Sequence, residues 1–196
     1  YQRSRGLGDV YKRQALNISK TTKEMISAGA SGIHIEDQVS EKRCGHRPNK
    51  EIVSSDEMCD RMKAARDAIS DDDFMLMART DAFAKEGLER TIERAEKYIE
   101  AGANALFPEA ITSLKDYKAL SEKISVPILA NITEFGMTPL FSKTELKNAG
   151  VSIILHPLSA FRAMSKAALE VYSSISQDGS VEKILEKMQS RDELYE

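Results

Sequence analysis

Ala101-Gly102-Ala103-Asn104-Ala105-Leu106-Phe107-Pro108-Glu109 reads as a helix stop, a short buried strand and a strand-end carboxylate in direct succession. Upstream, Leu88, Ile92, Ala95 and Ile99 recur at the spacing of one helix face. Glycine just past the last turn adopts the left-handed conformation that ends a helix. The same join recurs at Ala28-Gly29-Ala30, before a strand Gly32 to Glu36, and at Ala149-Gly150, before a strand Val151 to Leu155. Two further strands are predicted. Phe74 to Ala78 is a continuous apolar run of the kind buried on both faces, and Pro127 to Ala130 follows a helix carrying Leu114, Tyr117, Leu120 and Ile124.

Helices fill the intervals. Residues 16–28 carry Ile18, Met25, Ile26 and Ala28 on one side. Ser54 with Glu57, and Ser142 with Glu145, have the spacing of capping boxes. Met58, Met62, Ala65 and Ile69 follow the first of these. A long helix is expected over about 158–176, broken at Asp178-Gly179, with Ser180 capping a last helix through Val181, Ile184, Leu185 and Met188.

Strand–helix alternation of this kind calls for a parallel sheet covered by helices. Polar residues stand just after the strands: Glu36 and Asp37, Arg79 and Asp81, Glu109, Asn131 and Thr133. That edge binds ligands both in a (β/α)8 barrel and in an open doubly wound sheet. No glycine-rich phosphate loop follows any strand and the units repeat without a break, which favours the barrel. The expected fold is therefore α/β, a partial (β/α)8 TIM barrel with about five of its eight units. The missing strands would lie upstream.

Residues 1–14, YQRSRGLGDVYKRQ, have no helical or strand period, and periodic sequence begins at Ala15. The string resembles translated adapter sequence, so it is set aside as a non-native segment and residues 15–196 are taken as the C-terminal part of a barrel domain.

The 196 residues are 41% hydrophobic and 30% charged, the balance of a soluble globular protein. With 28 basic and 31 acidic residues the net charge is −3, and no basic excess points to nucleic acid. No apolar run approaches the ~20 residues of a membrane span. Cys44 and Cys59 form no disulfide framework and fit free thiols in a reducing compartment, the cytoplasm. Cys59, between Met58 and Met62 on a helix, reads as structural. His34, alternating with apolar neighbours on a strand, reads as a core histidine rather than a ligand.

Cys44 is different. It lies in Lys42-Arg43-Cys44-Gly45-His46, an electropositive setting that favours thiolate. Gly45 lets a ligand approach the backbone. A thiol there could move a proton at carbon or act as a nucleophile, and the residues alone leave both open. Arg43, Arg79, Arg162 and Arg191 are candidates for bidentate carboxylate or phosphate contacts.

The segment HIEDQVSEKRCGHRPNK (residues 34–50) resembles the signature loop of the isocitrate lyase and phosphoenolpyruvate mutase superfamily, and K-R-C-G-H is specific to its lyase branch. MARTDA, LFPEA, ILANITEFGMTPLF and PLSAFRAM follow in order. The resemblance covers residues 15–196 and is greatest to the members that split 2-methylisocitrate into pyruvate and succinate with Mg²⁺, in the methylcitrate cycle of propionate catabolism. It implies that Cys44 protonates the succinate-like carbanion and that Arg43, Gly45 and His46 shape the loop around substrate. Arg79 would bind a carboxylate, Glu109 would hydrogen-bond near the reacting end, and Asn131, Ile132 and Thr133 would hold the succinate moiety. Arg162 and Arg191 match the remaining arginine contacts.

Departures from that pattern carry expectations of their own. The superfamily's metal-binding D-x-D strand and its serine-glycine loop have no counterpart here, and Glu36 would reach Mg²⁺ through water at best. The direct metal ligands would lie in missing sequence, and the chain by itself is expected to be inactive. The substrate would be a small tricarboxylate, with no nucleic-acid or membrane partner, and the intact protein a homotetramer. Isocitrate lyase is the nearest alternative. A non-catalytic barrel fragment or binding partner is another.

Overall fold

The computed structural model describes residues 15–39, 41, 42, 44 and 49–195. It forms two compact units that divide between Leu155 and His156. In the first, α1 (Ala15–Ser27), β1 (Gly32–Glu36), α2 (Ser55–Arg66), β2 (Met75–Thr80) and α3 (Phe83–Glu100) are followed by β3 (Ala105–Pro108), α4 (Leu114–Lys123), β4 (Leu129–Asn131), α5 (Lys143–Asn148) and β5 (Ile153–Leu155). Strands β1, β2 and β3 form one parallel ladder and β4 and β5 another. A parallel bridge between Leu106 and Ile128 joins the two. The five strands thus stand side by side in chain order, as the alternation predicts. Strand β4 starts later than expected. Pro127 has no N–H to donate and contributes only its carbonyl, which accepts from the Leu106 N–H at 2.9 Å.

The glycine joins have the predicted conformation, with φ of +85° at Gly29, +111° at Gly102 and +84° at Gly150. A Cβ on Gly102 would also stand 2.6 Å from Cγ of Arg66. Gly102→Ala is therefore expected to cost about 1–2 kcal/mol from the left-handed backbone, with displacement of the Arg66 side chain in addition. Urea unfolding of the two proteins measures it. At α5 the capping box is complete in both directions. At α2 it is half made: the Ser54 hydroxyl accepts from the Glu57 N–H at 3.1 Å, while the Glu57 carboxylate turns to Arg61.

Both sheet faces are apolar, which is why the strands read as continuous apolar runs. Leu76, Ala78, Leu106 and Ala130 pack against Met58, Met62, Ala95, Tyr98, Tyr117 and Leu120 from the helices. Met77, Ala105, Phe107 and Leu129 form a smaller cluster on the opposite, inner face. His34 lies on that inner face but is exposed, its ring edge-on to Phe107 at 5.7 Å between centroids. The expectation of a core histidine fails because β1 has a described neighbour on one side only.

The second unit holds α6 (Ser159–Asp178), a 3₁₀ helix (Glu182–Lys187) and α7 (Arg191–Tyr195). Gly179 caps α6 with φ of +67°. The last helix expected from Ser180 through Met188 is instead this 3₁₀ segment. The Ser180 hydroxyl accepts from Glu182, only two residues on, at 3.1 Å, and does not cap a third-residue N–H.

Candidate active site

Arg79 organises the C-terminal edge of the first unit. The pleat of β2 that buries Leu76, Ala78 and Thr80 toward the helices turns Met75, Met77 and Arg79 to the inner face. The register sets Glu36 beside Arg79 on one side and Phe107 on the other. The guanidinium reaches Glu109 at 2.8 Å, Asp81 at 3.2 Å and Glu36 at 3.4 Å. It also lies 4.8 Å over the Phe107 ring, a cation–π contact. Burial works to lower the Arg79 pKa, but Glu109, Asp81 and Glu36 outweigh it and hold the guanidinium charged.

Glu109 is almost wholly buried and is fixed from three directions. Besides Arg79, the Asn131 amide donates to it at 3.2 and 3.4 Å, and the Ala110 N–H at 3.1 Å. Ala110 has φ of +61°, a strained value for a residue with a Cβ, at the point where the carboxylate folds back on the backbone. The Asn131 Oδ1 atom is buried with no hydrogen-bond donor among the described residues. Thr133 is buried beside it in sequence, and Ile132 packs into the helix-side core.

The Cys44 loop is rooted on this cluster. Its two arms pair through an antiparallel bridge between Gln38 and Ile52. Val39 N–H donates to the Glu51 carbonyl at 3.1 Å, and Val53 N–H to the Asp37 carbonyl at 2.8 Å. Lys42, two residues before the cysteine, reaches Glu36 at 2.9 Å, and Lys50 reaches Asp81 at 2.9 Å. Cys44 itself is exposed and free. Arg43, Gly45 and His46 lie outside the described residues.

Behind the edge is a buried polar layer. The Asp37 carboxylate accepts from the Thr80 hydroxyl at 2.7 Å, the Asp81 N–H at 2.9 Å and the Tyr98 hydroxyl at 3.0 Å. Burial raises its pKa and these three donors oppose the rise. Arg94 donates to the Tyr98 oxygen at 3.0 Å and clamps Glu86 at 2.7 and 2.8 Å. Asp81 is pulled the other way: burial alone would raise its pKa, but Arg79 and Lys50 hold it below the usual carboxylate range.

Of the residues expected at the site, Glu36, Arg79, Glu109 and Asn131 meet directly. Arg162, in the first turn of α6, and Arg191, at the start of α7, are exposed and belong to the second unit. Lys42, Lys50 and Asp81 join the cluster as well. Asp81 was legible as a strand-end carboxylate. Lys50 carried no signal, because a lysine in a polar loop is almost always solvated. Cys59 is structural, as expected: half-buried, its thiol 3.6 Å from the Lys97 carbonyl, and its pKa raised by burial.

Parallel β/α units with an arginine, carboxylates and the root of a thiol loop at the C-terminal strand edge match the active-site face of a β/α barrel. The phosphoenolpyruvate phosphomutase family model matches residues 7–176, and the chain belongs to that family. It is 59% identical over 182 residues to a 2-methylisocitrate lyase of Escherichia coli (strain K12), covering 93% of this chain and 62% of that protein. The corresponding enzyme of Salmonella typhimurium is 56% identical over 182 residues, 93% of this chain and 62% of the relative. Among solved structures, 2,3-dimethylmalate lyase, a member of the PEP mutase/isocitrate lyase superfamily, aligns with a TM-score of 0.82 at 32% identity, covering 92% of this chain and 60% of that one. The chain thus spans about 62% of the length of the curated relatives it matches.

Proposed function

We propose that residues 15–196 are the cysteine-bearing part of a carbon–carbon lyase that splits 2-methylisocitrate into pyruvate and succinate. One observation carries this reading. The Cys44 loop is pinned by Lys42 to Glu36, on the same cluster where Arg79, Glu109 and Asn131 converge. The segment that carries the thiol is thereby rooted on the strand edge that holds Arg79.

In the reaction, a base removes the proton of the substrate hydroxyl and the adjacent C–C bond breaks. The oxygen-bearing half leaves as pyruvate, and the electron pair stays on the succinate half. Cys44 gives its proton to that carbon. Arg79 orients a carboxylate, and Asn131 Oδ1 offers an acceptor to a donor group on the ligand. Arg43, Gly45 and His46 belong to the same loop, and Ile132 and Thr133 to the same β4 edge. Arg162 and Arg191 remain candidates for further carboxylate contacts. In the cluster, Lys42, Lys50 and Arg79 already balance Glu36, Asp81 and Glu109. A tricarboxylate therefore needs further positive charge. Mg²⁺ would supply it, but no group of three or more metal-ligating side chains occurs among the described residues. Its direct ligands would come from other sequence, with Glu36 acting through water.

The intact gene product is expected to release pyruvate from 2-methylisocitrate faster than it cleaves isocitrate. The methyl group is worth only ~1–3 kcal/mol in a pocket, so slow turnover of isocitrate is also expected. Residues 1–196 alone should release none. Preference for isocitrate would assign the intact protein to the other lyase branch. Binding without Mg²⁺- and Cys44-dependent turnover would leave a non-catalytic barrel.

A further inference from the structure

We propose that Lys50 is a positioning residue that sets the Cys44 loop in register with Arg79. The inference rests on the lyase reading for its consequence in catalysis, though not for its geometry. Lys50 is buried, with a side chain 5% exposed, and its ammonium lies 2.9 Å from Asp81, whose side chain is fully buried. A buried lysine in a loop otherwise rich in exposed polar residues is costly unless its partner is fixed. Asp81 is held from several sides, Gln38 among them. Its N–H is bound to Asp37, and its other carboxylate oxygen takes Arg79 Nε at 3.2 Å. One carboxylate therefore joins the root of the thiol loop to the arginine that faces the ligand.

The backbone is bent to make this contact. Asn49 has φ of +59°, a left-handed conformation that asparagine tolerates better than most residues. Immediately after it, Lys50 turns into the protein. The bridge at Ile52 and the Val53 N–H bond to Asp37 then close the root. Lys42 also ties the loop to the cluster, but it is partly exposed, so Lys50 is the buried anchor.

Two measurements separate this role from mere stability. The first is readable on residues 1–196 without any activity. Lys50→Met should speed amide hydrogen exchange at Val39 and Val53 at least tenfold and shift the Arg79 Nε–H resonance. Exchange at Leu106, in the β3 ladder, should not change. Lys50→Arg should restore most of the protection, since a guanidinium can reach the same carboxylate. The second uses the intact gene product. Lys50→Met should lower kcat for pyruvate release by as much as about 100-fold, the loss a misplacement of about 1 Å can cause, with KM changed only a few-fold. Lys50→Arg should stay within about threefold of the wild-type kcat.

Unchanged exchange and an unchanged Arg79 signal would overturn the proposal, as would equal loss of protection at Leu106. If Lys50→Met does not fold, Lys50→Arg decides. Wild-type exchange rates and kcat would support the anchor, and a tenfold loss in kcat with exchange at Val39 and Val53 still protected would refute it. If the wild-type protein released no pyruvate, the lyase reading would fail, and the exchange measurement would still judge the anchor.

Discussion

Replacing Cys44 by serine in the intact gene product should cut kcat for pyruvate release by ~10²–10⁴-fold, the contribution of a positioned general acid. The hydroxyl fits where the thiol was, but an alcohol is a far weaker acid than a thiol. KM should change little. Arg79, proposed above to orient a substrate carboxylate, lies on the strand edge and is held there by Glu36, Asp81 and Glu109 independently of the sulfur. Steady-state pyruvate release at saturating 2-methylisocitrate reads the effect. A loss below threefold would remove Cys44 from the chemistry. Cys59→Ser is the control, and its half-buried position away from the edge leads us to expect near-native turnover.

Arg79→Met should be the most destabilising single change in the first unit. It removes the one cation that Glu36, Asp81 and Glu109 share, leaving Lys42 on Glu36 and Lys50 on Asp81. Removing one partner of a buried pair typically costs about 3–5 kcal/mol. Acid should partly rescue the variant. A buried carboxylate that loses a cation has a higher folded-state pKa than in the wild type, so the penalty of the substitution is smallest at low pH and grows as pH rises through that value. The wild type behaves oppositely at Asp81. That carboxyl is held low, so its stabilisation is present above the unfolded pKa, about 3.9, and is lost as pH falls through the folded value. The gap in melting temperature between the two proteins should therefore narrow from pH 7 to pH 5. A constant gap would mean that the carboxylates do not depend on Arg79.

Strand count, order and polarity were legible because the chain repeats one physical device. Gly29, Gly102 and Gly150 each sit at a positive φ before a strand, and the sequence marks each with an Ala-Gly pair. The last helix was not legible. Val181, Ile184, Leu185 and Met188 have helical spacing, but none of them is buried, so no packing enforces an α-helical pitch. The site divides in the same way. Arg79, Glu109 and Asn131 were visible as polar residues ending apolar strands. Asp81 shared that signal, but the role it takes depends on Lys50, which is 31 residues away and ordinary in its local sequence. A long-range pair between two charged residues leaves no periodic trace. His34 erred in the opposite direction, since a strand's period gives its face but not whether a neighbour covers that face.

The side-by-side order of the strands also bears on how the chain is made. Each described strand pairs with the strand before or after it in the sequence and with no other. Strands starting at Gly32, Met75, Ala105, Leu129 and Ile153 would leave the ribosome a few seconds apart at ~5–20 residues per second. Each newcomer finds its only template already in place. Synthesis and docking of the described strands can then run in the same direction, each after the first docking on the one made just before it.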